Sequence, residues 1–268
     1  MSQIALIGIA LAFMLVVMTA AWLFQRAVGN AGWIDVFWTY GTGAMGVALA
    51  LAPASGGSGP TGRQIAIACL IAAWSLRLGT FVALRVAKGT EDPRYRELRR
   101  EWGDAFQRRA FWFIESQAFV SALLGVAMVA AARNPARGFG LLDLMGVFVL
   151  AIAILGEATA DRQLQRFRQN PANRGGICDV GLWRYSRHPN YFFEWLGWWA
   201  YPLFALAPGA GYRWGWLAFI APAIMGWILV KVTGIPPTEA AMLTSRGEAF
   251  RAYQRRTSAF IPLPPRTP

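Results

Sequence analysis

The sequence predicts an all-α, polytopic membrane protein with seven transmembrane helices. Hydrophobic residues make up 56% of its 268 residues and 13 residues are tryptophan, a composition typical of membrane proteins. The apolar residues fall into separate stretches of about 20 residues, the length that a helix needs to cross a hydrocarbon core roughly 30 Å thick. Polar and mostly basic segments connect these stretches.

Seven of the apolar stretches are long enough to be spans. They cover residues 4–24, 33–52, 64–85, 111–132, 140–160, 190–207 and 214–233. The core of the first stretch is too long for a secretory signal peptide and no basic residue precedes it, so we expect a retained span. Pro202 and Pro208 interrupt the sixth stretch, which is therefore the least regular of the seven.

The basic residues are unevenly divided between the two sides of these spans. Twenty follow spans one, three, five and seven, and the other side has only Arg63, Arg133, Arg137 and Arg213. Because Lys and Arg accumulate on the cytoplasmic side, we expect a multi-pass membrane protein with an external N-terminus and a cytoplasmic C-terminus. The net charge of +12 is thus placed to meet anionic lipid and an anionic ligand, and we expect no binding to nucleic acid.

Few side chains could bind a metal ion or form a disulfide. Cys69 falls within a span, Cys178 falls in a loop, and His188 is the only histidine. These residues provide neither a disulfide framework nor the ligand spacing of a metal site, so we expect no metal. Motifs of the soluble nucleotide-binding folds and of the common hydrolases are also absent, and those classes gain no support.

Among the polar residues inside the spans of the first half, three are candidates for a site. Asp35 and Tyr40 follow the start of the second span, and Arg77 lies within the third. Ionisable groups at such depth usually face a polar cavity, so these residues are candidates for a substrate pocket, with Asp35 as the nearest partner for Arg77. The alternatives are an interfacial carboxylate for Asp35 and, for Arg77, a side chain that extends to the membrane surface.

Residues 88–109 alternate acidic and basic side chains around a tryptophan. This pattern predicts an amphipathic cytoplasmic element whose ordinary role is contact with water and lipid. Alternatively, Glu91 and Arg94 close over the site.

The polar segment 161–194 holds six arginines and the histidine between two apolar stretches. Asp161 and Arg168 recur at helical spacing from Glu157, so we expect the fifth span to continue as a helix until Asn170-Pro171 ends it. Further along, Gly175-Gly176 allows the backbone to approach a ligand closely, and Pro189 suits the first turn of a helix whose N–H groups favour a phosphate. The segment therefore predicts an anion site.

A basic helix is expected after the seventh span. Thr238 is its candidate cap, and it runs to about Arg256 with Arg246 and Tyr253 near one face. Together with segment 161–194 it predicts an arginine-rich site for a phosphorylated cofactor, joined to a pocket for a lipid-soluble substrate.

Three motifs resemble the steroid 5-alpha-reductase family. They are YSRHPNYFFE (residues 185–194), RGEAFRAY (residues 246–253) and Phe260-Ile261-Pro262. The resemblance covers the C-terminal half of the chain, and in the first half it is limited to the arrangement of the spans. It implies one seven-helix domain over residues 1–268, in which 1–132 mainly form the substrate pocket and 140–268 mainly bind NADPH. The implied activity is NADPH-dependent reduction of the C=C bond of a 3-oxo-4-ene steroid or a similar lipophilic enone by a monomer in contact with membrane lipids. The family has bacterial members, so the resemblance also implies a bacterial inner membrane.

The resemblance also implies residue roles. Asp35 replaces a glutamate that binds the substrate ketone, and Leu76-Arg77 stands where the animal enzymes have a tyrosine, so Asp35, Arg77 and Tyr40 are the catalytic candidates. A neutral Asp35 or a cationic Arg77 would polarise the enone oxygen while the cofactor supplies hydride. The cofactor-binding candidates, of which Arg187 and His188 are additions to the family pattern, are Asp161, Arg168, Arg174, Tyr185, Arg187, His188, Asn190, Tyr191, Glu194, Arg246, Tyr253 and Arg256.

The strongest alternative is a membrane methyltransferase that uses S-adenosylmethionine. The pattern R-H-P-x-Y, with R-G-x-x-[FY]-x-x-Y after it, also resembles isoprenylcysteine and phospholipid methyltransferases. Those enzymes usually carry a Glu-Glu pair, whereas this chain has Glu239 followed by alanine. A non-enzymatic sterol-binding protein, and arginines that serve only lipid contact and topology, are the remaining alternatives.

Overall fold

A computed structural model describes residues 2–53, 59–89, 91–136, 138–206 and 211–266. Arg137 and Pro208, used in the sequence arguments above, lie outside the described residues. The described residues form helices and short turns, with no β-strand. The α-helices in chain order are α1 (Gln3–Val28), α2 (Trp33–Leu51), α3 (Gly62–Ala87), α4 (Pro93–Trp102), α5 (Phe106–Ala132), α6 (Leu141–Gln169), α7 (Pro189–Trp198), α8 (Ala200–Ala205), α9 (Ile220–Trp227) and α10 (Ile235–Arg256).

Six helical stretches among the described residues are long and apolar enough to cross a membrane, as expected for a multi-pass membrane protein. Each covers one of the predicted spans to within one residue at either end. They are Gln3–Val28, Trp33–Leu51, Gly62–Ala87, Arg94–Ala132, Leu141–Gln169 and Arg213–Arg256.

The sixth predicted span, 190–207, differs from this expectation. It forms two short helices, α7 and α8, which are separated at Trp199. Pro202 explains the break, because a proline has no N–H to donate to the carbonyl four residues earlier and its ring clashes with that carbonyl. Neither helix alone is long enough to span a membrane. Residue 207 lies outside the described residues.

The chain forms two compact units. Unit 1 comprises Met1–Val147 and Ala200–Ala221, and its main helices α1, α2, α3 and α5 pack against one another. Glycines on α2 allow α3 and α5 to approach it closely. A Cβ at Gly43 would lie 2.0 Å from Ser75 Oγ on α3, and one at Gly46 would lie 2.6 Å from Met128 Sδ on α5. The small residues on α2 therefore serve helix packing.

A buried arginine, Arg63, connects several segments of unit 1. The Arg63 side chain, only 5% exposed, donates from Nε and Nη2 to the Asp143 carboxylate at 2.7 and 2.9 Å. It also donates to the carbonyls of Asn134, Ala136 and Gly138, at 3.0, 2.7 and 2.7 Å. One guanidinium thus ties the start of α3 to the loop before α6 and to the first turn of α6.

Unit 2 comprises Phe148–Trp199 and Pro222–Pro268. In this unit α6 continues to Gln169 as predicted, and Asn170 then caps a short 3-10 helix by accepting from Ala172 N at 3.0 Å. Trp183 Nε1 donates to Ala160 O at 2.9 Å, which fixes the following loop against α6. The helix α7 begins at Pro189, as predicted.

The helix α10 departs from the sequence prediction at two points. It begins at Ile235, and Thr238 donates its hydroxyl to Gly234 O instead of capping the helix. The two prolines after Ile235 suit the first turn, so the helix starts ahead of them. Gly247 then interrupts it with φ 52° and ψ −125°, a conformation that glycine adopts far more readily than other residues.

Candidate functional site

Three of the predicted cofactor residues surround one cavity of about 250 Å³ in unit 2. We call it the arginine cavity. It lies where the end of α6, the loop 173–178 and α10 meet. Its lining residues are Leu164, Phe167, Arg168, Asn173, Arg174, Gly175, Gly176, Cys178, Met242 and Arg246.

The loop that borders the cavity has a defined bend. Gly175 has φ 83°, the left-handed region that disfavours a side chain. Asn173 Nδ2 donates to Phe167 O at 3.0 Å and its carbonyl accepts from Gly176 N at 2.9 Å. These bonds hold the loop against the last turns of α6 and bring its backbone to the cavity.

The arginine cavity is cationic. Arg168, Arg174 and Arg246 line it, and no Asp or Glu is among the described residues that do so. Arg246 Nε is buried and has no hydrogen-bond partner among the described residues. Because a buried donor without a partner is costly, this atom favours an anionic ligand with several acceptor oxygens.

Cys178 also lines the cavity and is buried. Burial raises the pKa of its thiol. The thiol is therefore neutral near pH 7 and is poorly suited to act as a nucleophile.

Asp161 and Asn190 form a second polar group in unit 2. Asn190 lies in the first turn of α7, and its Nδ2 is 3.5 Å from Oδ1 of the buried Asp161. Asn190 Oδ1 is buried and has no hydrogen-bond partner in the part of the chain that the structure describes. The pair offers acceptors to a ligand that carries a hydroxyl or amide donor.

Tyr191 and Glu194, further along α7, already have partners. The ring of His188 stacks on that of Tyr191 with centroids 5.3 Å apart, and Tyr191 Oη lies 3.2 Å from Thr238 Oγ1. Glu194 accepts from Trp198 Nε1 at 3.0 Å. These contacts fix one face of α7.

Arg187 and His188, which we expected to reach phosphate or ribose, instead bind Glu239. Arg187 Nε donates to Glu239 Oε1 at 2.7 Å, and His188 Nε2 lies 3.1 Å from the same oxygen. Burial lowers the pKa of His188, and the nearby Glu239 only partly opposes this. The histidine is therefore neutral near pH 7, and its Nε2–H donates to the carboxylate.

Tyr185, Tyr253 and Arg256 do not line the arginine cavity. Tyr185 is exposed and its carbonyl accepts from Leu263 N at 3.0 Å. Tyr253 donates its hydroxyl to Trp183 O, and Arg256 pairs with Asp179. These residues connect the C-terminal helix and tail to the loop before α7.

In unit 1, Asp35 bonds to the amphipathic helix α4. Arg94 Nη2 lies 2.8 Å from Asp35 Oδ2, and Tyr95 Oη donates to Asp35 Oδ1 at 2.8 Å. Glu91, just before α4, accepts from Ala31 N at 3.1 Å. The segment 88–109 is therefore anchored to the start of α2, which the solvent-exposed interpretation did not anticipate.

Tyr40 lies between α2 and α3. Its ring rests on Gly79, where a Cβ would come within 2.8 Å of it, and its hydroxyl lies 2.9 Å from Thr80 Oγ1. Arg77 is half-buried on α3. Sequence reasoning missed Thr80, Tyr95 and the bonds of Glu239 to Arg187 and His188. Glu239 itself was visible in the sequence as the single glutamate in place of a Glu-Glu pair.

A family model matches residues 21–257 and carries the description "Protein of unknown function (DUF1295)". The chain belongs to this family. The DUF1295 match extends from the last turns of α1 through α10, so it includes the arginine cavity and the bonds of Asp35 and Glu239. No curated protein and no solved structure matches the chain.

Proposed function

We propose that this DUF1295 protein is an integral-membrane, NADPH-dependent reductase of the C=C bond of a 3-oxo-4-ene steroid or similar lipophilic enone. The observation that carries the proposal is the arginine cavity, in which three guanidinium groups converge and no described carboxylate lines the wall. Clustered arginines suit the diphosphate and the 2'-phosphate of a dinucleotide. The motifs that resemble steroid 5-alpha-reductases lie on the same unit.

The residues present fit such a cofactor. Arg168, Arg174 and Arg246 would hold its phosphates, and the unpartnered Nε of Arg246 is a donor in need of an acceptor. Asn190 Oδ1, a buried acceptor without a described partner, would take a ribose hydroxyl or an amide. When bound, NADPH supplies the hydride for reduction.

The protein's own residues would stabilise charge and deliver a proton. Asp35 already accepts from Tyr95 and pairs with Arg94, so it acts as an acceptor and is less suited than Arg77 to donate to the enone oxygen. Addition of hydride to the β carbon leaves an enolate, whose negative charge Arg77 can neutralise. The Tyr40 hydroxyl, held at Thr80, is the candidate proton donor to the α carbon.

A direct assay tests this proposal. Purified protein in detergent should oxidise NADPH only when a 3-oxo-4-ene steroid is present. Arg246→Gln and Asn190→Ala should lose this activity, and Arg251→Gln, an exposed arginine on the same helix, should keep it. NADPH binding without steroid-dependent oxidation would instead favour the non-enzymatic sterol-binding alternative.

One observation keeps the methyltransferase as a second candidate. The R-H-P segment bonds to Glu239, the single glutamate at the position where those methyltransferases usually carry a Glu-Glu pair. Since a ligand stabilises the folded state that binds it, the melting temperature separates the two candidates. NADPH should raise it and S-adenosylmethionine should not; the reverse result would overturn the reductase proposal.

We further propose an external N-terminus and a cytoplasmic C-terminus in the bacterial inner membrane, with the protein as a monomer in contact with lipid. This topology has seven crossings, so it requires the segment 190–207 to cross the membrane although it forms two short helices. The excess of basic residues after alternate spans supports this orientation. Alkaline phosphatase fused after residue 266 should be inactive, and a fusion after residue 136 should be active. The opposite pattern would reverse the proposed topology.

A further inference from the structure

A carboxylate outside the arginine cavity forms a buried cluster in unit 2. Glu239 accepts from Arg187 Nε at 2.7 Å, from Gln254 Nε2 at 2.6 Å and, on the oxygen that Arg187 contacts, from His188 Nε2 at 3.1 Å. Its side chain is 13% exposed and that of Arg187 is 10% exposed. We call these four residues the Glu239 cluster.

The contact between Glu239 and Gln254 defines the shape of α10. In a straight helix, 15 residues would separate the two positions by about 22 Å along the axis, which is beyond the reach of both side chains. The hydrogen bond between them therefore requires α10 to fold back. The only non-helical residue inside α10 is Gly247, so the fold-back occurs there.

Arg187 ties the folded-back half of α10 to the chain before α7. Its guanidinium donates to the carbonyls of Gln254 and Thr257 as well as to Glu239. Its backbone N–H donates to Ser258 O at 2.8 Å. The angle of the bend at Gly247 thus depends on the ion pair between Arg187 and Glu239.

This bend adjoins the arginine cavity. Met242 and Arg246 follow Glu239 at helical spacings of three and seven, so they occupy the same face of α10, and both line the cavity. Arg246 directly precedes the bend, and its guanidinium is half-buried with Nε unpartnered. A change in the bend would therefore displace Arg246 relative to Arg168 and Arg174, which also line the cavity.

The ion pair in the Glu239 cluster also determines which positive charges are available to an anion. The Arg187 charge is neutralised by Glu239 inside the cluster, so Arg187 is not available to an anion in the cavity. The attraction for an anion then depends on how Arg246 is placed beside the other two guanidinium groups.

We propose that Glu239 is a positioning residue: by holding the bend of α10 through Arg187 and Gln254, it sets the place of Arg246 and so the affinity of the arginine cavity for an anion. This inference rests on the proposed function in taking the cavity as the phosphate site. It assigns Glu239 no contact with the ligand.

Binding of adenosine 2',5'-bisphosphate to the full-length protein in detergent, measured by calorimetry, tests the inference. Glu239→Gln should weaken binding about tenfold in the wild-type background. In the Arg246→Gln background the same substitution should change binding less than about twofold, because coupled residues are not additive. Glu248→Gln, which changes the same charge at an exposed position of α10, is the matched control and should bind like wild type.

A second variant acts on the bend without touching the cluster. Gly247→Ala forces a side chain onto a backbone with φ 52°, and no atom lies within 4 Å of its Cβ, so the strain is confined to the bend. It should weaken binding in the same Arg246-dependent way, and it keeps the test decisive if Glu239→Gln fails to fold in size-exclusion chromatography.

The outcomes separate the two proposals. Wild-type binding that is unchanged in Glu239→Gln or Gly247→Ala overturns the positioning role and leaves the reductase proposal standing. An equal loss with and without Arg246 also overturns it, because a general loss of structure produces that result. No binding to the wild-type protein overturns both proposals.

Discussion

Tyr95 donates its hydroxyl hydrogen to Asp35 Oδ1 at 2.8 Å, which joins α4 to the first turn of α2 within unit 1. Arg94 adds an ion pair to the other carboxylate oxygen at 2.8 Å. The sequence placed Asp35 in an apolar span and suggested Arg77 as its partner. The bonds of Arg94 and Tyr95 give this carboxylate a structural role in holding α4, a helix for which the sequence left contact with water and lipid, or closure over the site, as alternatives.

Tyr95→Phe should loosen α4. The phenol is buried, and loss of a hydrogen bond to a carboxylate at such a position costs about 1–3 kcal/mol. Local opening of α4, which carries several arginines, should become roughly tenfold more frequent, and trypsin should cleave the segment correspondingly faster. Tyr185→Phe, the same change at an exposed tyrosine, is the control and should be cleaved at the wild-type rate.

Arg63→Ala should destabilise unit 1 strongly. It leaves the Asp143 carboxylate, 6% exposed, without its charged partner, and removing one member of a buried ion pair costs about 3–5 kcal/mol. The melting temperature in detergent should fall by roughly 2–4 °C for each kcal/mol. Arg213→Ala, at an exposed arginine of the same unit, should leave it unchanged.

A double variant shows how much of the stability lost in Arg63→Ala comes from the ion pair with Asp143. Arg63→Met with Asp143→Leu removes both charges, and an apolar pair often replaces a buried ion pair without loss. Recovery should be partial, because the carbonyls of Asn134, Ala136 and Gly138 also lose their donor. Full recovery would mean that these carbonyl bonds contribute nothing.

The helices were largely predictable from the sequence, because the length of an apolar stretch and the position of a proline affect only the nearby backbone. Asn170-Pro171 ends α6 where the residue before a proline disfavours helix, and Pro189 begins α7. Pro202, which makes the sixth apolar stretch the least regular of the seven, accounts for the break at Trp199 by the same reasoning.

The partners of the polar residues could not be predicted from the sequence. Helical spacing relates residues a few positions apart, whereas Arg187 and Glu239 are separated by 52 positions and Asp35 and Tyr95 by 60. The fold-back at Gly247 was equally hidden, since a single glycine in a helical pattern is usually tolerated. Arg168, Arg174 and Arg246 line one cavity, and the anion site that the sequence predicts there stays a prediction.

The His188 environment predicts a loss of stability in mild acid. Burial lowers its folded pKa below 6.5, so between that lowered value and pH 6.5 the unfolded chain binds a proton that the folded protein does not. Stability is therefore full above about pH 6.5 and declines as the pH falls. Arg187 and Glu239 are the charged groups that face the ring, and both keep their charge in this range.

The melting temperature measured at about pH 7.5 and about pH 5.5 checks this dependence. His188→Gln retains a donor for Glu239 and removes the titrating ring, so its melting temperature should fall less between the two values. An equal fall in wild type and His188→Gln would show that other groups cause the acid sensitivity.

Gly79→Ala tests the packing that holds Tyr40. A Cβ at position 79 would lie 2.8 Å from the Tyr40 ring, so the ring must move away and its hydroxyl should lose Thr80. Overpacking of this kind costs about 1–3 kcal/mol, and the melting temperature should fall. Gly8→Ala, in a helix position with no atom within 4 Å of the added Cβ, is the matched control and should not lower the melting temperature.

The same contact bears on the proposed role of Tyr40 as proton donor. If Tyr40 donates the proton, steroid-dependent NADPH oxidation should fall in both Gly79→Ala and Tyr40→Phe. Activity retained in Tyr40→Phe would remove that residue from the mechanism.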